Sequence, residues 1–550
     1  MKDNTRDSPY KVRTFNTLRG DPEMAIVLIT AIIFASIYSL FSILKYLSLD
    51  ASGWDLGIHS QALWSTLNGG FFYSNLIGQS LLAEHFAPFE FLQLPVYAIY
   101  PSPISILVLQ AVFLSFGSVP LFLIARHVVA EHFALQKVNR IFSFLIVFSY
   151  LLSPFTLSMI SFDFHNIAFL PLFFFLAIYG FLKERKLLSL FSLGMIISLH
   201  SNFIFIVGVI LLYEFLFLRT KQGKGVKTWL STKGDARSLR NSSYFAIAIL
   251  LLYTYLVIST ALKGYIGGSD SISMAASTGA TGTPFTSILG LVQILFSHPL
   301  HLLSAITANG GAKATFLLIL FGSLLFLPLT SPLSLIMSVP YMLYALPSSY
   351  GSYYELGEQY TGMVLGAVYL SAIFGYSNLL RLSQDFQRKR PNKKGLQKVR
   401  SSGFWGIALA IFIAMILVIP LGTFSPPQVF ERPNGSQMVN LFELNYNTNG
   451  SSFLFNSEKQ IPQGDYILTQ NNLMPFFSNY PNAYSTPWSP GISSNITNFQ
   501  YIVYQNGSFW AQQPSDAGSI QNIAVHFLQN GTFVIYKSDP SLDLFILKRS

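Results

Sequence analysis

Apolar runs long enough to matter to a membrane recur along the chain as far as residue 424 and then stop. They fall at 24–45, 104–125, 141–160, 167–182, 187–199, 203–218, 244–262, 314–330, 333–347, 360–380 and 404–424. About 20 apolar residues in helical form cross the roughly 30 Å hydrocarbon core of a bilayer. The pattern therefore predicts a mainly α, polytopic membrane helix bundle of about 11 spans. The runs 187–199 and 203–218 are short and read as the arms of one hairpin meeting at His200-Ser201-Asn202. The first run is longer than the roughly 7–15 residues of a signal-peptide core, so it reads as a span. Beyond residue 425 the pattern changes to short β-rich runs, at Tyr466–Thr469, Tyr501–Tyr504 and Thr532–Tyr536, set among Asn, Ser, Gln, Pro and Gly. That pattern predicts strands and turns. The chain divides into a basic N-terminus (1–23), a transmembrane domain (24–424) with a long first outer loop (46–103), and a small α/β or β-rich soluble domain (425–550).

Composition sharpens this picture. Only 11% of the 550 residues are charged and 51% are hydrophobic, against about 25% charged in a soluble domain. That excludes a soluble enzyme and a disordered chain alike. No cysteine is present, so disulfides, thiolate metal sites and cysteine nucleophiles are excluded. The net charge of +10 is explained by its distribution. With the N-terminus inside, 26 of the 34 Lys and Arg fall on inner segments, as the positive-inside rule requires. The basic balance then needs anionic lipid and no nucleic acid. The expected location is the cell membrane, N-terminus cytoplasmic and C-terminal domain extracytoplasmic.

Ionisable groups near a membrane are costly and so are informative. On the expected outer face, Trp54-Asp55-Leu56-Gly57-Ile58-His59-Ser60-Gln61-Ala62-Leu63-Trp64 has Leu56, Leu63 and Leu67 at helical spacing. It predicts a helix along the interface. Asp55 would stand at its N-terminus, either capping it or serving as a catalytic carboxylate. Glu84 and His85 would form a polar network or a metal site. Asp163 and His165, two apart, would project to one side of an extended segment, a donor pair suited to Mg or Mn. His200 lies at the outer hairpin turn. Lys45, Lys263 and Lys313 would snorkel or pair with a lipid phosphate. Glu355, with Gln359 and Tyr360 before the tenth span, would face the same space as Asp55. Nucleotide-loop, nucleophile-elbow, zincin and dinucleotide motifs are all missing from the sequence, which argues against ATP-driven transport.

The stretches Trp54–Ile58 with Gln61 and Trp64, His85–Pro88, Pro95–Gln110, Phe162–His165, Phe326–Leu329 with Pro340, Gln359–Tyr360, and Ile461–Pro462 through Leu473–Pro475 together resemble the membrane family called domain of unknown function 2079. The resemblance covers about residues 25–510. That family is similar in layout to the GT-C glycosyltransferases, which take a sugar from a polyprenyl-phosphate lipid at the outer face. The resemblance implies Asp55 as general base or acceptor-binding group, and Asp163 with His165 as a metal or donor-phosphate site. Where many members carry a Lys-Glu-Asp-like triplet at the fifth span, this chain has His200-Ser201-Asn202, so any charge there would come from protonated His200. The expected function is glycosyl transfer from a polyprenyl-phosphate-linked sugar, with Lys45, Lys263, His200 or a divalent ion holding the phosphate. The alternatives are a lipid or solute transporter, for which Glu214 is the main intramembrane acid, and a membrane scaffold of the cell envelope.

Overall fold

The computed structural model describes residues 21–130, 136–222, 236–266, 299–388 and 447–550, the last two with short breaks, and a few isolated residues between 276 and 297. The expected span 404–424 and the domain boundary at 425 lie outside these residues.

The chain is a helix bundle with a sheet domain at one end. Helix α1 (Pro22–Leu47) is capped by Asp21, which accepts from the Met24 amide. It carries two apolar faces. Val27, Ala31, Ala35 and Tyr38 are buried, whereas Ile26, Ile29, Ile33 and Ile37 are about half exposed. An exposed isoleucine stripe has no place in water and suits lipid, while the small residues Ala31 and Ala35 let a neighbour approach closely. The long loop after α1 contributes α2 (Ile58–Leu67) and α3 (Glu90–Ile99).

The second expected span is two helices, α4 (Pro103–Phe116) and α5 (Ser118–Val129), with α4 packed on α1. The third is α6 (Gln136–Leu151) and α7 (Pro154–Ser161), interrupted where Pro154 removes an amide donor. Helix α8 (Leu170–Leu182) follows a short 3-10 turn. Helices α9 (Lys186–Leu199) and α10 (Ile204–Gln222) are the two arms of the expected hairpin, broken at extended His200. Then come α11 (Ala236–Ile266), α12 (Gly310–Gly322) and α13 (Gly362–Arg388). The span expected at 314–330 ends early. The chain turns at Phe326, whose φ is 56°, and Pro328 and Pro332 cannot continue a helix. Six helical stretches among the described residues are long and apolar enough to cross a membrane, with shorter apolar helices beside them.

In the sheet domain, β1 (Ile467–Gln470), β2 (Ala483–Thr486), β3 (Tyr501–Gln505), β4 (Phe533–Asp539) and β5 (Leu544–Arg549) lie in the order β2-β1-β3-β5-β4. β1 pairs in parallel with β2 and β3, and the other pairings are antiparallel. Helices α14 (Asn449–Glu458) and α15 (Ile520–Gln529) complete it. All three β-rich runs read from the sequence are strands here.

Gly375 on α13 sits so close to the 327–330 turn that a Cβ would lie 2.0 Å from the Leu327 carbonyl oxygen. Backbone cannot give way as a side chain can, and overpacking of this kind costs about 1–3 kcal/mol. Gly375→Ala is expected to lower the thermal midpoint of the purified protein, whereas Gly208→Ala, where a Cβ meets open space, is expected not to. Equal midpoints for the two variants would contradict this packing.

Candidate active site

A buried ion pair sets the geometry at the end of the bundle nearest the sheet domain. Lys45, in the last turn of α1, is 4% exposed. Its Nζ donates to Asp163 Oδ1 at 2.5 Å, to the Asp50 carbonyl at 2.6 Å and to the Phe162 carbonyl at 3.2 Å. The second Asp163 oxygen accepts from the Ser52 amide at 2.8 Å. One pair thus ties the end of the first span to the loop that follows it and to the loop at 162–163. Gln110 on α4 secures the next residues, donating to the Asp163 carbonyl at 2.6 Å and accepting from the His165 amide at 2.8 Å.

The sheet domain holds the first loop from above. Asn472 donates to the Leu49 carbonyl at 2.6 Å, Asn471 to Ser52 Oγ at 3.0 Å, and Gln61 to the carbonyls of Tyr480 and Ala483. Gly53 passes so near that a Cβ would lie 2.7 Å from the Asn471 carbonyl oxygen. The helix expected along the interface is therefore a buried element beneath the sheet domain, with Ser60, Gln61 and Leu63 almost wholly inaccessible. Its N-terminal side-chain cap is Ser52, which accepts from the Trp54 amide, and not Asp55. A π-turn over Gly53–Gly57 leads into α2. Asp55 and His59, four residues apart, both reach the wall of a cavity.

The cavity has a volume of about 540 Å³. It is lined by Asp55, His59, Glu84, His85, His165 and His200 and by the tyrosines Tyr341, Tyr344, Tyr350, Tyr353 and Tyr360. The His85 and His200 rings lie 4.6 Å apart. His165 and His200 are built alike. Each is extended, each precedes a 3-10 turn, and each accepts at Nδ1 from the amide two residues on, at 3.1 Å. That fixes the hydrogen of the neutral ring on Nε2. Behind His59 lies Glu90, wholly buried, whose Oε1 is 2.9 Å from His59 Nδ1. The same oxygen accepts from Asn166 at 2.7 Å, and Asn166 accepts from Gln93 at 2.8 Å.

Burial pushes the Asp55 carboxyl up to about 7; nearby His59 opposes the shift, and Asp163, Glu358 and Glu84 add to it. Burial holds His165 well below the usual imidazole range, helped by His59 and His85. His59 moves the other way. Burial opposes its charge, but Glu90, Asp55 and Glu84 more than offset that.

The structure gathers Asp55, Glu84, His85, His165, His200 and Tyr360 around one space. It does not bring the other candidates there. Lys45 is closed off with Asp163. Lys313 is buried, donates to the Ala305 carbonyl at 2.8 Å and lies over the Tyr354 ring. Glu355 folds back over Gly351, where burial raises its proton affinity. Gln359 is buried away from the cavity. Lys263 is on α11, and its side chain lies outside the described residues. The pairing of Asp163 with His165 as metal ligands is not what the fold produces. Both carboxylate oxygens of Asp163 are already engaged, and only His165 reaches the cavity. No group of three or more His, Asp or Glu among the described residues is arranged to hold a metal ion.

His59 and Glu90 received no role from sequence. His59 could have been found, since four residues from Asp55 is one helical turn. Glu90 could not, because its contact with His59 spans a loop and two helices.

A polytopic helix bundle whose loops surround a polar cavity, with a sheet domain packed on the first of those loops, is a GT-C-like membrane fold. The apo structure of ArnT from Cupriavidus metallidurans shares it, with a TM-score of 0.51 at 9% identity over 96% of this chain and 98% of that one. The structure of the same ArnT bound to undecaprenyl phosphate gives 0.48 at 11% identity, over 95% and 97%. No curated protein matches the sequence. The model of the family described as "Predicted membrane protein (DUF2079)" matches residues 45–541, and the chain belongs to that family.

Removing one partner of a buried ion pair costs about 3–5 kcal/mol, whereas replacing both with apolar groups is often near neutral. Lys45→Met is expected to lower the thermal midpoint sharply, and Lys45→Met with Asp163→Leu to recover most of the loss. A single variant as stable as the parent would contradict the role given to this pair.

Proposed function

We propose that the protein is an outward-facing glycosyltransferase of GT-C type that uses a polyprenyl-phosphate-linked sugar. The observation that carries this reading is the cavity itself. It combines a carboxylate of raised proton affinity, several imidazole donors and lining tyrosines, in a chain of membrane-crossing helices with no nucleotide motif. A lipid-linked donor needs none. The GT-C-like fold supports the same class of reaction, and the distribution of Lys and Arg supports an outward-facing cavity.

In the reaction, the acceptor hydroxyl oxygen forms a bond to the anomeric carbon of the sugar. The bond from that carbon to the phosphate oxygen breaks, and its electron pair leaves with the phosphate. Asp55 accepts the hydroxyl proton. His165 and His200 line the same cavity as Asp55, and their Nε2–H groups suit the developing phosphate charge. The lining tyrosines suit a sugar ring, which offers C–H faces to aromatic rings and hydroxyls to phenols. A transport reading is weaker. Glu214, the intramembrane acid it would rely on, accepts from Tyr244 at 2.6 Å in a buried cluster with Ser189 and lines no part of this cavity.

The test is release of polyprenyl phosphate from a panel of polyprenyl-phosphate hexoses and pentoses by the purified protein. General-base catalysis is worth about 10²–10⁴-fold, so Asp55→Asn should reduce release by at least about 100-fold while remaining folded. An acid whose proton affinity is raised by folding destabilises the native state progressively as pH rises from the ordinary carboxylate range through its folded value. The variant should therefore gain more thermal stability over the parent at pH 8 than at about pH 4, and parental activity should rise as pH increases through about 7. Full activity of Asp55→Asn would contradict the assignment.

A further inference from the structure

The leaving phosphate still lacks a cation. Lys45 and Lys313 are turned away from the cavity, and no Lys or Arg lines it among the described residues. A second observation shows where positive charge resides. Glu90 is 0% exposed. Its Oε1 meets Asn166 and His59, and its Oε2 has no hydrogen-bond partner in the protein. A carboxylate so buried is costly unless a cation compensates it. His59 is the basic group within ion-pair distance. Since Nδ1 faces Glu90, the nitrogen left for the cavity is Nε2.

We propose that His59, held as an imidazolium by Glu90, is the cation that receives the phosphate of the lipid-linked donor, with Glu90 as its positioning residue. This rests on the donor reading above and specifies how the same site meets the phosphate. The groups facing His59 are Asp55 on its own helical segment, Glu84 on the next short helix, Glu90 on α3 and His165 from the 161–166 loop, its ring 6.2 Å away. Three of these are acids. Their combined field holds the proton on His59, while His165 is kept neutral. When the bond to the anomeric carbon breaks, the phosphate gains one unit of negative charge beside the imidazolium. The acceptor proton goes separately to Asp55. A group whose proton affinity is raised by folding keeps its charge at low pH and loses it as pH climbs, so phosphate binding should weaken upward in pH.

Two measurements on the full-length protein test this. The first is the pH dependence of diethyl pyrocarbonate labelling at His59, read by mass spectrometry, since only the neutral ring reacts. The midpoint should lie above that of free histidine in the parent and at least one pH unit lower in Glu90→Gln. The second is retention of farnesyl phosphate in native mass spectrometry. It should fall about 10-fold between pH 6 and pH 9, and be about 10-fold weaker at pH 6 in His59→Asn. A parental midpoint at or below that of free histidine overturns the inference, even if the variants fail to fold, and so does a midpoint unmoved by Glu90→Gln. Retention indifferent to pH overturns the phosphate role. If the parent retains no farnesyl phosphate at either pH while the His59 midpoint behaves as expected, the lipid-phosphate donor reading fails and takes the phosphate role with it, leaving the imidazolium intact.

Discussion

The Lys45–Asp163 ion pair is the constraint on which the end of the bundle nearest the sheet domain depends. Burying two charges is unfavourable unless each finds its complement, and here every polar atom of the pair does: three acceptors for the ammonium and two donors for the carboxylate. Because the pair joins the end of α1 to the 161–166 loop, it settles where the chain emerges from the first span. Ser52, bound to Asp163 on one side and to Asn471 on the other, passes that placement to the sheet domain. Asp55 and His59 follow within seven residues. The pair does not touch the cavity; it determines that a cavity can form beside it.

Within the cavity the same logic runs in the opposite direction. Carboxylates are gathered with no lysine or arginine among the described lining residues, burial and the neighbouring acids raise the proton affinity of Asp55, and histidine is the base that those residues offer to carry charge. That arrangement is less stable than a compensated one. Its persistence is what one expects of a site whose polar groups are arranged for a ligand. Gln110, Asn166 and Gln93 carry no charge, yet they fix the backbone around His165 and the carboxylate behind His59. The lining tyrosines pack on one another, with the Tyr353 ring within 5 Å of both Tyr344 and Tyr360.

Most of the bundle was legible because apolar length is a one-dimensional signal. The ten expected spans that fall within the described residues all have helical counterparts, and the His200 hairpin turned where the polar triplet interrupts it. The failures were local: Pro154, Pro328 and Pro332 broke helices that hydropathy alone would extend. The chemistry was less legible. Asp55, Glu84, His85, His165, His200 and Tyr360 converge, since outer-loop placement and residue type were enough to select them. Lys45 and Asp163 were also selected, but sequence could not show that they would satisfy each other and withdraw. Alternation in an extended segment predicted that Asp163 and His165 would point together. The chain at Phe162 is not a strand, and Gln110 holds the segment so that the two diverge. Glu90 was invisible because nothing local distinguishes a buried partner from a solvated one.

The most direct test of the account is a cryo-electron microscopy structure of the full-length protein in nanodiscs with an added polyprenyl phosphate. The account predicts phosphate density inside the cavity, within hydrogen-bond reach of the His59, His165 or His200 ring nitrogens, and an isoprenoid chain leading from it to the lipid-facing surface. Phosphate density beside Lys45 or Lys313 with the cavity holding only water would contradict it.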